Sequence, residues 1–121
     1  MNRERTTLVI LAAPGPVRDG LAALFGADRG LSVTVLELDW DDALDRLRRA
    51  PPGLIVLEGG LVQQGVADTL AQLRAAAPGS ARLVLVDNVA QLAPAGVAEV
   101  IMLKGAPAVE LVAALQSLQR P

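Results

Sequence analysis

Cysteine, histidine and tyrosine are absent from the 121 residues, and phenylalanine, tryptophan and lysine each occur once. Without cysteine there can be no disulfide, thiolate nucleophile or cysteine metal site. Without histidine the chain lacks the commonest general base and any histidine step of a phosphorelay. With so few aromatic residues, a core must be built from Leu, Val, Ile and Ala, and hydrophobic residues make up 52% of the chain. A net charge of −2 and a pI near 5.0 argue against gripping nucleic-acid phosphates by bulk electrostatics. The apolar run Leu8–Ala13 is closed by Pro14-Gly15-Pro16. It is too short for a signal peptide and far short of the roughly 20 residues of a membrane span. A cytoplasmic location with no membrane partner is therefore expected.

At this length one domain over residues 1–121 is expected, with a single core. Thr7–Leu11 reads as a first strand. Val17, Leu21 and Leu24 recur at helical spacing, ahead of a possible stop at Gly26. Leu31–Leu38 begins with the alternation of an outer strand. Asp39 is placed as an N-cap, with Asp41 and Asp42 in the first helical turn and Arg46, Arg48 and Arg49 in the last, as a helix dipole favours. Trp40 is read as a half-exposed cover over that helix start. Leu54–Leu57 is a strand buried on both faces, and Val66, Leu70, Leu73 and Ala77 mark the next helix. Leu83–Val86 and Val100–Leu103 are two more strands, and Ala108, Leu111, Val112, Leu115 and Leu118 trace a last helix. Alternation of this kind predicts an α/β fold, a five-stranded parallel sheet with helices on both faces.

Functional groups in such sheets gather at the carboxyl ends of the strands. Here those ends carry Ala12 and Ala13, Glu58, Asp87 and Lys104. Lys104 is the chain's single lysine among ten arginines. A slender, point-charge donor at that place suggests that it reaches between Glu58 and Asp87, although an ordinary surface lysine remains open. Asp87 could equally cap a following helix. Gly59-Gly60 completes neither GxGxxG nor GxxxxGK[ST], so no phosphate-binding loop is expected.

Laid end to end, LVILAAPGPVRDGLAAL, GLIVLEGG, RLVLVDN and EVIMLKGAPAVELVAAL resemble the receiver domain of two-component response regulators. The likeness is strongest to receivers joined to LuxR-type helix-turn-helix domains and spans about residues 6–119. It implies the flavodoxin-like strand order 2-1-3-4-5. The connection from Asp87 to Lys104 is shorter than usual by about one helical turn (~3.6 residues), so the family's fourth helix is expected to be short or missing.

The resemblance places Ala12 and Ala13 where the family holds Mg²⁺, Glu58 at the phospho-acceptor aspartate, Asp87 at the switch hydroxyl and Ile101 at the aromatic switch partner. Only the lysine, Lys104, matches the family's motif. Methyl groups offer Mg²⁺ no oxygen. Glutamate displaces the nucleophile by roughly one C–C step (~1.5 Å), enough to spoil in-line attack. Asp87 adds an anion where the phosphoryl group needs a donor. The implied protein is a pseudo-receiver with no metal, no cofactor and no enzymatic activity. It would act as a phosphorylation-independent signalling or dimerisation module that regulates transcription. A homodimer is the expected partner state, and a DNA-binding output domain is expected beyond residue 121, this domain itself touching no nucleic acid. Two alternatives stay open: a small flavodoxin-like enzyme or nucleotide-binding protein, and a stand-alone adaptor. For Glu58, a permanent anion mimicking a phosphorylated aspartate stands beside a relic that merely ends a strand in water.

Overall fold

A computed structural model describes residues 5–36, 39–59, 65–88 and 98–119. In chain order the elements are β1 (Thr6–Leu11), α1 (Pro16–Gly26), β2 (Leu31–Val35), α2 (Trp40–Arg49), β3 (Leu54–Glu58), α3 (Val66–Ala76), β4 (Ala81–Val86), β5 (Glu99–Leu103) and α4 (Ala108–Gln119). The five strands form one sheet in the order β2-β1-β3-β4-β5, with every neighbouring pair parallel. The expected short or missing helix between Asp87 and Lys104 falls largely on residues 89–97, outside the described residues. The expected strand end at Leu38 also lies outside them; the described part of β2 stops at Val35.

Side-chain alternation along the strands divides the core into two layers. Leu8, Ile10, Leu54, Val56, Leu83 and Leu85 face α1 and α4, where they meet Leu21, Phe25, Leu111 and Leu115. Leu11, Ile55, Leu57, Val84 and Val86 face α2 and α3, where they meet Leu44, Leu47, Leu70 and Leu73. The central strands β3 and β4 are buried along their whole length. That explains their unbroken aliphatic runs: a strand covered on both faces has no solvent side on which to alternate.

The helix ends follow local chemistry. The Asp39 side chain accepts from Asp42 N at 2.8 Å and caps α2. The negative charge of Asp39 in turn pushes the Asp42 carboxyl above its ordinary value. Trp40 is half-buried and donates from Nε1 to Gln72 Oε1 at 2.5 Å, tying α2 to α3. Helix α1 starts after Gly15, whose φ of 151° suits glycine, with proline at its first position.

The face of α1 differs from the one its spacing suggests. Leu21 and Phe25 are its buried residues, whereas Val17 is 39% exposed and Leu24 only partly covered. Leu21 and Phe25, at i and i+4, bring the chain's single phenylalanine onto the sheet. Val17 stays in the first turn, beside the groove between α1 and α4.

Candidate functional site

The carboxyl ends of β1, β3, β4 and β5 converge on one cluster. Glu58 closes β3, which lies between β1 and β4, so its carboxylate is flanked by the ends of both neighbours. It is buried, at 7% exposure, and does not end its strand in water. Beyond it, a Cβ on Gly59 would lie 3.1 Å from the Leu85 carbonyl oxygen and 3.4 Å from Val86 Cγ1. The main chain thus leaves the sheet in close contact with β4, and glycine suits that approach.

Lys104 follows β5 directly. Its backbone N–H donates to Val86 O at 2.8 Å, so the strand pairing itself carries the lysine to the end of β4. Its Nζ lies 2.6 Å from Asp87 Oδ1 and 3.4 Å from Glu58 Oε2. The hydrogen bond to Asp87 is the main cause of a Lys104 pKa above the ordinary lysine value; partial burial opposes it and the charge of Glu58 adds to it. The remaining Glu58 oxygen, Oε1, accepts from Ala13 N at 3.4 Å. Glu58, Asp87 and Lys104 therefore come together as the sequence places them, and the lysine is held more tightly by Asp87 than by Glu58. Two carboxylates around one ammonium leave the cluster with a formal charge of −1.

Ala12 is buried against the α1 and α4 layer and Ala13 is exposed. Neither side chain can contribute an oxygen. Ile101 packs on the opposite layer, with α2 and α3, and so stands across the sheet from the side chain of Glu58, whose alternation partners are Leu54 and Val56. The donor set does not fit Mg²⁺. That ion needs several oxygen ligands; here Ala12 and Ala13 offer none, and the two carboxylates of the cluster, Glu58 and Asp87, already meet the Lys104 ammonium. Among the described residues no group of three acidic side chains could hold a metal ion.

A second charged cluster, at the opposite end of the sheet, escapes the sequence reading. Arg82, the second residue of β4, is buried and donates from Nε to Glu99 Oε2 at 2.6 Å. Arg74 on α3 donates to the same carboxylate from Nε at 2.7 Å and from Nη2 at 2.5 Å. Hydrogen bonding to Glu99 raises the Arg74 pKa further. Arg82 Nη1 also reaches Ser80 O at 2.7 Å and Ala77 O at 3.4 Å. The available signal was an arginine inside an otherwise aliphatic strand, in ARLVLV.

With this geometry in place, comparison with solved structures is decisive for the fold. The chain superposes on a LuxR-family two-component response regulator from an Aurantimonas species with a TM-score of 0.77 and 18% identity, covering 95% of this chain and 85% of that one. A CheY-like response regulator receiver domain from Methylobacillus flagellatus gives 0.75 at 17% identity, covering 96% and 100%. The chain has the fold of a response-regulator receiver domain. A third receiver-fold neighbour, a response regulator from Burkholderia pseudomallei, carries a phosphorylated aspartic acid and a calcium ion; it gives 0.65 at 21% identity, covering 93% and 67%. No family model matches the chain, and no curated protein matches it in sequence. Among the described residues no helix is long and apolar enough to cross a membrane.

Proposed function

We propose that this receiver-fold chain is a degenerate receiver, a signalling module that works without receiver-type phosphorylation and serves a transcriptional output. The observation that carries this reading is the lysine bridge. Lys104 lies 2.6 Å from Asp87 and 3.4 Å from the buried Glu58, so the cation that an incoming phosphoryl group would need is already neutralised from within the chain. Phosphoryl transfer depends on cations around the equatorial oxygens and on an in-line nucleophile. Here the nearby anions outnumber the cation, Ala12 and Ala13 supply no metal ligand, and the glutamate reaches one methylene too far. These defects act on metal binding, attack and charge neutralisation separately, so restoring one alone does not rescue the reaction.

Signalling by such a module passes through its surfaces, and self-association is the mode proposed here. Val109, 75% exposed on α4, and Val17, 39% exposed on α1, are the large apolar side chains left in water among the described residues. The LuxR-family neighbour supports a transcriptional output. Incubation with acetyl phosphate and Mg²⁺ followed by intact-mass measurement tests the reading. The expected result is an unchanged mass; a stoichiometric gain of one phosphoryl group contradicts it.

A further inference from the structure

Strand β5 is the edge strand beside β4, and its apolar residues do little to define its register. Val100 and Met102 pack into the α1 and α4 layer, and Ile101 and Leu103 into the α2 and α3 layer. A slip of one residue would exchange these pairs between the faces and still leave an apolar residue at three of the four positions. Hydrophobic patterning specifies register only where the two faces of a strand differ, and in VIML they do not.

Charge differs where patterning does not. Arg82 pairs in register with Glu99, and the pairing runs on to Val86 with Leu103. Strand β4 thus has a cation near its start and Asp87 just past its end, while β5 has Glu99 at its start and Lys104 just past its end. Opposite signs meet at both ends, at 2.6 Å for Arg82–Glu99 and 2.6 Å for Asp87–Lys104. Backbone bonds close to the same ends complete the pairing, from Arg82 N to Ala98 O at 2.9 Å and from Lys104 N to Val86 O at 2.8 Å. A one-residue slip would turn Glu99 to the opposite face from Arg82 and Arg74. A two-residue slip would carry it roughly 6.6 Å along the strand. Either leaves a buried guanidinium without its carboxylate, which is strongly unfavourable.

We infer that β5 is a clamped strand: the two opposite-sign pairs at its ends, Arg82–Glu99 and Asp87–Lys104, set its register on β4 and keep the sheet edge from sliding or peeling. This inference stands apart from the absence of phosphorylation.

Native-state hydrogen exchange tests the clamp, with the amides on the β4 side of β5 (Val100, Met102 and Lys104) compared against β3 amides (Leu54–Glu58) in the same sample. The double variant Arg82→Leu/Glu99→Leu removes the buried pair without orphaning either charge and leaves half-exposed Arg74 to water. Its β5 amides are expected to exchange at least about tenfold faster relative to β3 than in the wild type, a local opening distinct from global unfolding. Asp87→Asn, at a side chain 52% exposed, loosens the other end without endangering the fold and should speed exchange at Lys104, whose N–H donates to Val86 O. If Asp87→Asn and any folded double variant both leave the β5-to-β3 exchange ratio at its wild-type value, the charges do not clamp the strand.

Discussion

Lys104 is the residue on which the site's electrostatics turn, and its two partners are unequal. Asp87 is half in water, so its pairing is screened, and Asp87→Asn should cost less than about 1 kcal/mol. Glu58 is buried, and Lys104→Ala would leave it facing Asp87 without a cation. That variant should lose about 2 kcal/mol in urea denaturation at neutral pH, more than removal of either acid. The sign of the pH dependence follows from the raised lysine pKa. The folded state holds the proton more tightly, so the bridge contributes fully below the ordinary lysine value of 10.5 and is lost as pH rises through the raised one. The gap in melting temperature between wild type and Lys104→Met should be constant from about pH 7 to pH 9 and narrow above about pH 10.5. Equal melting of Lys104→Ala and wild type at neutral pH would contradict the bridge.

The strands and helices were legible because their signals are local. Aliphatic runs mark β3 and β4, Asp39 marks the start of α2, and the charged residues at strand ends announce Glu58, Asp87 and Lys104. What was not legible depends on distances across the fold. Arg82 finds Glu99 only through the β4–β5 register and Arg74 only through the packing of α3, and no spacing along the chain joins the three. Helix α1 shows a subtler limit. The spacing of Val17, Leu21 and Leu24 fits a helix face, yet the sheet selects the stripe through Leu21 and Phe25, because Phe25, the largest fully buried side chain, packs into the layer under α1 and α4. Phe25→Ala should therefore cost about 4 kcal/mol, while Val17→Ala should change stability by less than about 0.5 kcal/mol. Thermal unfolding of the two variants decides which face of α1 is buried. Comparable losses would restore the stripe read from spacing.

At the scale of the whole molecule, the fold is that of a receiver domain, and the proposal is that the groups that run receiver chemistry are replaced within it. The scaffold rests on two aliphatic layers, so Ala12 and Ala13, just past β1, and Glu58, at the end of β3, do not interrupt it. On that proposal the signalling role lies in the surfaces. Light scattering at tens of micromolar protein is expected to show a dimer, and Val109→Glu is expected to shift it to monomer. A wild type that is monomeric throughout would remove the dimerisation part of the proposal. The central claim is that the ends of β1, β3, β4 and β5 form a filled, metal-free charge cluster that cannot receive a phosphoryl group. Adding beryllofluoride with Mg²⁺ and recording the amide NMR spectrum tests it most directly. The account predicts no shift at Ala13, Glu58, Asp87 or Lys104, whereas saturable shifts centred on Glu58 and Lys104 would mean that the site accepts the phosphoryl mimic after all.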